Sequence, residues 1–577
     1  MATTDEDFVQ VATTADLDGE DQALVTTRGQ AIALFRHEGE FYAVDNRCPH
    51  MGFPLAQGTV DDGVLTCHWH HARFELGCGS TFDPFADDLP TFPTEVRGEE
   101  IWVDPHPKRD DPPRERWLGR LEDGLENDLR LVLAKSVIGL DDADINYELP
   151  LERIATFGAR YRDDGWGRGL TTMGAMANLL PALEPEDRRR ALYTGAVSVA
   201  NDASGHPPRF VQDPLSGDDH DPERLERWFR DCIEVRDRQG AERVLGTAIA
   251  HLPNERVVSM LVGAATDHRY LDTGHTVDFL NKAVETLNHV GWERADDLLP
   301  ALVPQLASAE RSEERSSWRQ PVDLAALLSE SFERLPARIG AGEREEWTPT
   351  ERFDETLLSE DPREIVATLD EAIEAGASAA DLADRVGVAA GVRIAQFGTG
   401  NEVRDWNTVH HTYTYANAVC GLARRTGGEE CYKAVYDGAI NVYLDRFLNT
   451  PPTPIPEPRE VETDPETLLG DLLETFDEEG EVNRAGRFVA DYLDSGGDPE
   501  ELTRTLGGAL LREDANFHTL QNVEAAFEQA ERTGEKRLHL IATARYLAAH
   551  TPTRREREQT FTIATRLHRG EKLHESA

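Results

Sequence analysis

Four residues near the start of the chain have the types and spacing of a metal site: Cys48 and His50, then sixteen residues, then Cys67 and His70. Two soft thiolates with two imidazoles suit a transition metal. Zinc would take such a set tetrahedrally, but zinc fingers pair like with like, C-x2-4-C in one arm and H-x3-5-H in the other. Here each arm supplies one Cys and one His. That is the arrangement a mixed-ligand cluster needs, so zinc stays as the alternative.

A second set of candidates lies far downstream. TGHTVDFLNKAVETL from Thr273, VHHTYTYANAVCGLA from Val409 and NFHTLQNVEAAFEQA from Asn516 each open an apolar-periodic helix with His-Thr. An acidic residue shortly precedes each: Asp272, Asp405 and Asp514. RGLTTMGAMANLLPAL from Arg168 reads as a fourth copy without the histidine. His275, His411 and His518, with neighbours His268 and His410, are the candidate catalytic residues. Asp272 and Asp278 sit three residues either side of His275, close to one helical face. A helical bundle could collect these groups into a mononuclear iron site or an acid/base set. Alternatively each Asp caps a helix start and the His-Thr pair serves the first turn and the core.

The elements that must position these residues differ along the chain. Short β-type runs bounded by Gly and Asp turns predict strands at Ala23 to Thr27, Ala31 to Arg36, Glu40 to Val44, Gly63 to Thr66, Ala72 to Glu75, Thr94 to Arg97 and Glu100 to Val103. Both Cys/His pairs fall where strands give way to loops. The expected organisation is a small antiparallel β-domain over 1–106 and a Pro-rich, charged linker over 107–116. Leu118, Leu121, Leu125 and Leu129, and later Ile365, Leu369 and Ile373, then recur at helical intervals. A large all-α remainder, bundle or helical repeat, is expected in blocks 117–340, 351–450 and 465–577.

With 108 acidic and 60 basic residues the net charge is -48, which opposes nucleic acid and anionic membrane surfaces as partners. Only six lysines occur in an arginine-rich chain, a composition that resembles proteins of salt-loving archaea. No long apolar run and no basic, greasy N-terminal leader is present, so a cytoplasmic location is expected. Cys78, Cys232, Cys420 and Cys431 are scattered and read as inert thiols.

CPHMGFPL and the C-x-x-H followed by ARFEL resemble the two ligand loops of the Rieske [2Fe-2S] family. That resemblance implies a [2Fe-2S] cluster with Cys48 and Cys67 on one iron and His50 and His70 on the other. The second loop departs from the family's C-P-x-H-G: His68 replaces the Pro and His71 the Gly. Neither loop carries the extra cysteine of the cytochrome-complex branch, so the resemblance is to the ferredoxin or oxygenase branch. The D-x2-H-x4-5-H iron motif of the Rieske oxygenases is not matched by Asp405 to His411, and Glu571 with His574 stands alone in the tail. No G-x-G-x-x-G indicates a built-in reductase, so the donor is an unidentified reductase or ferredoxin. The His-bearing helices carry a faint resemblance to questin-oxidase-like proteins, from which no residue role is carried over. The function expected is single-electron transfer in or for an oxidoreductase, with a redox-sensing or scaffold role of the helical region as the alternative.

Overall fold

The computed structural model describes residues 7–107, 112–217, 221–341 and 347–571. Residues 108–111 of the expected linker, 342–346 at an expected helix break, and His574 lie outside the described residues. Two compact units are formed, Met1–Pro150 with Gln559–Ala577, and Leu151–Glu558.

The first unit is built on ten strands: β1 (Val9–Thr13), β2 (Gln22–Thr27), β3 (Gln30–His37), β4 (Glu40–Asp45), β5 (Thr59–Asp61), β6 (Val64–Thr66), β7 (Arg73–Glu75), β8 (Thr91–Phe92), β9 (Thr94–Arg97) and β10 (Glu100–Val103). They form three antiparallel sheets in the orders β1-β10-β9, β2-β3-β4-β8 and β5-β6-β7. Two-residue turns set the registers. Arg28-Gly29, Glu38-Gly39 and Asp62-Gly63 all have positive φ at both positions, the twist that matches antiparallel strands. The seven strands read from the pattern are present. The three it passed over are an edge strand (β1), a three-residue strand (β5) and a two-residue strand between prolines (β8), all too short or too exposed for alternation to show. Ala33, Phe35, Val44, Leu65 and Phe74 form one core beneath the two ligand loops, and Cys48 and Cys67 belong to it.

Helices α1 (Pro113–Glu126) and α2 (Arg130–Asp142) follow the strands, and most of the last helix, Glu556–His568, belongs to the same unit. Every residue of α2 from Val132 to Leu140 is buried, as expected of a helix apolar nearly all round; the exceptions in type are Lys135 and Ser136, whose hydroxyl donates to the Val132 carbonyl (2.8 Å).

In the second unit every described element is helical. Four of its helices start at an Asp-Pro pair, with Asp221, Asp361, Asp464 or Asp498 accepting a first-turn N–H and Pro at the first helical position. Four others pack on one another in a ring: Arg168–Leu179, His275–Val290, Trp406–Thr426 and Phe517–Thr533. These same four carry the His-Thr helix openings and their histidine-free copy at Arg168 in the sequence. The His275 and His411 helices approach closely at Gly421, where a Cβ would lie 2.6 Å from Asn281 Oδ1.

Candidate metal centres

The two ligand loops of the β-domain are the same turn twice. The Cys48 N–H donates to the Phe53 carbonyl (2.9 Å) and the Gly52 N–H returns to the Cys48 carbonyl (2.7 Å). The Cys67 N–H donates to the Ala72 carbonyl (2.9 Å) and the His71 N–H returns to the Cys67 carbonyl (3.1 Å). The fourth residue after each cysteine must then be left-handed, and φ is 80° at Gly52 and 61° at His71. This is the physical reason a glycine suits the second loop.

The two thiols face one another, almost wholly buried, at 3% and 1% exposure. Their mutual hydrogen bond pushes one up and the other down: the Cys48 thiol is raised, while the Cys67 thiol, receiving it and backbone N–H groups of Trp69 and His70, falls to about 6. The His50 and His70 rings meet edge to face, with centroids 4.8 Å apart. Burial, then His70 and Lys135, push the His50 imidazole down to about 4, and its Nδ1 is buried with no hydrogen-bond partner. His68 turns away to Thr59 (3.3 Å), and His71 is exposed. Two facing thiols beside two imidazoles, one with an unpartnered buried nitrogen, fit a cluster held by Cys on one iron and His on the other.

In the helical unit His275, His411 and His518 converge. One ring nitrogen from each lies within 4.8 Å of the others. His411 Nε2 and His518 Nε2 are 3.1 Å apart, and the ring centroids of His275 and His411 are 4.6 Å apart. Two nitrogens each about 2.1 Å from one ion at about a right angle show such a separation. His275 Nδ1 donates to the Asp272 carbonyl (2.8 Å), which leaves the buried Nε2 without a partner. A ring N–H tied to a backbone carbonyl is the usual support of a metal-bound histidine. Burial, together with the neighbouring imidazoles, holds His411 at about 2; burial, with His275 and Arg168, holds His518 at about 3. Fully buried His410 packs on His518 with centroids 5.0 Å apart and is likewise held neutral by burial.

The acidic candidates are elsewhere. The Asp272 carboxylate accepts the Glu310 N–H (2.6 Å), and that of Asp278, pushed up to about 6 by burial, accepts from Gln521 (2.7 Å). His268 lies between Glu313 and Glu234, 2.7 Å from each. None of the three preceding aspartates caps its helix. Gly274 precedes the His275 helix, Asp405 makes no side-chain cap bond, and Asn516, not Asp514, caps the His518 helix. Sequence reasoning passed over the two buried lysines, Lys135 and Lys282, although their rarity in this chain was a signal.

Comparison with known proteins assigns the β-domain. Residues 7–93 match the family model for the Rieske [2Fe-2S] domain. The chain is 38% identical over 87 residues to the 3-phenylpropionate/cinnamic acid dioxygenase ferredoxin subunit of Shigella boydii serotype 4, covering 15% of this chain and 82% of that one. It is 36% identical over 73 residues to human apoptosis-inducing factor 3, covering 12% of each. The solved ferredoxin of carbazole 1,9a-dioxygenase from Nocardioides aromaticivorans IC177 is 25% identical, with 17% of this chain and 98% of that chain covered and a TM-score of 0.17. The chain therefore belongs, through its N-terminal β-domain, to the Rieske [2Fe-2S] family, whose cluster carries single electrons. The family match ends before the helical region, which stays unassigned.

Proposed function

We propose that this protein is an oxidoreductase in which the Rieske domain feeds electrons to a metal ion held by His275, His411 and His518. Cys48 and Cys67 would hold one iron of the cluster and His50 and His70 the other, and when bound the cluster would supply one electron at a time. A reductase or ferredoxin is the donor. Carrying donor domain and acceptor site on one chain raises their effective concentration. The observation that supports the helical site is the convergence of three neutral imidazoles from three helices, with His411 and His518 107 residues apart in sequence. Each imidazole kept neutral by burial has one unprotonated ring nitrogen with which to bind a cation.

Metal analysis of the full-length protein tests this. Two irons and two labile sulfides should come with the Rieske domain and one further transition-metal ion with the helical unit. His411→Ala should lose that ion and keep the cluster spectrum. A metal content unchanged by His411→Ala leaves the redox-sensing or scaffold role of the helices in its place.

A further inference from the structure

The first ligand loop is gripped by a residue from outside the family segment. Lys135, on α2, is 6% exposed. Its ammonium donates to the carbonyl of Pro49, to the carbonyl of His50 (3.2 Å) and to Asp87 Oδ2 (3.0 Å). All three donors of the ammonium are thereby used. Asp87 in turn accepts from Arg120 Nε of α1 (2.9 Å), and Arg120 also binds the Pro84 carbonyl (2.7 Å) and Asp123 (2.7 Å). Burial works to raise the Asp87 carboxyl, but Lys135 and Arg120 outweigh it and keep the group ionised.

We infer that Lys135 is a positioning residue of the Rieske centre: it fixes the His50 loop by its carbonyls and, as a buried positive charge balanced by Asp87, sets the reduction potential. An added electron is stabilised by a fixed cation nearby, and the low-dielectric surroundings make that attraction strong. Residue choice supports this. A chain that uses lysine only six times places one here, where three acceptors converge from different directions. A compact ammonium meets three such acceptors, whereas the planar fork of arginine would not.

Redox titration of the full-length protein, with the cluster's absorbance and its reduced-state magnetic resonance spectrum as controls for loading, tests the inference. Lys135→Met should shift the potential to more negative values, Asp87→Asn to more positive values, and the double variant should return toward wild type. The shifts should persist at 1 M salt, where the Debye length of about 3 Å removes the influence of exposed charges. If Lys135 is only a strap between α2 and the β-domain, both single variants lose thermal stability and their potentials stay put or move in the same direction, which overturns the inference. Asp87→Asn keeps Lys135 in place, so it decides the sign even if Lys135→Met fails to load. A wild-type protein without a cluster would instead strike at the Rieske assignment itself.

Discussion

His71 shows what one residue costs. Its counterpart in the matching turn is Gly52, yet a histidine occupies a φ of 61°. A non-glycine residue there bears about 1–2 kcal/mol of steric strain, partly offset by the smaller entropy of its unfolded state. His71→Gly should therefore stabilise the loaded domain by about 0.5–1 kcal/mol in chemical unfolding. Both His70 and His71 are exposed, and it is His70 whose ring packs on His50. His70→Ala should remove iron and labile sulfide, and His71→Ala should retain both. Loss of the cluster from His71→Ala, with retention in His70→Ala, would reassign the ligand. The candidate ligand pairs were legible from spacing because each Cys/His pair sits in one tight turn. The left-handed demand at position 71 was not, since it comes from the backbone bonds between Cys67, His71 and Ala72.

Among the elements, the entry to the His275 helix gathers four consecutive or near-consecutive left-handed residues. Tyr270, Asp272, Thr273 and Gly274 have φ of 43°, 48°, 57° and 94°. Left-handed residues other than glycine cost on the order of 1–3 kcal/mol each and persist only where neighbours hold them. Here the Asp272 N–H and carboxylate bond to the backbone of Glu310, Ser312 Oγ donates to the Tyr270 carbonyl (2.8 Å), and Arg269 pairs with buried Asp437 (3.1 Å). This turn leads directly into His275, whose ring meets those of His411 and His518. At Gly274 a Cβ would lie 3.0 Å from the Tyr270 ring. Gly274→Ala should destabilise the protein by about 1–3 kcal/mol and lower metal occupancy at the helical site, with the Rieske spectrum unchanged. Equal metal content in wild type and variant would separate the turn from the site. The acidic residues before the His-Thr pairs suggested caps, but Asp272 and Asp514 instead bind segments distant in sequence, Glu310 and residues 556–557.

For the whole molecule the surplus of 48 negative charges is a surface matter. Several buried charges are paired: Lys282 lies between Glu285 (2.7 Å) and Glu524 (2.5 Å), and Arg269 pairs with Asp437. Exposed carboxylates repel across the surface, and screening shortens that reach from about 10 Å at 0.1 M salt to about 3 Å at 1 M. The unfolding temperature should rise steadily as KCl is raised from dilute buffer. A temperature that falls with salt would show exposed ion pairs outweighing the repulsion. Among the described residues no helix is long and apolar enough to cross a membrane.

By itself the sequence determined the parts whose information is local. Ligand spacing within a turn, Gly-containing two-residue hairpins, Asp-Pro helix starts and the 3.6-residue apolar period are each written in a few neighbouring residues. It also named His275, His411 and His518 as candidates. Only the tertiary structure decided that those three meet, that Asp272 and Asp278 turn their carboxylates elsewhere, and that Lys135 reaches the loop of His50. These contacts join residues from 38 positions apart, Asp272 to Glu310, to 243 apart, Asp278 to Gln521. Packing of whole helices brings such residues together, and no short-range pattern records it.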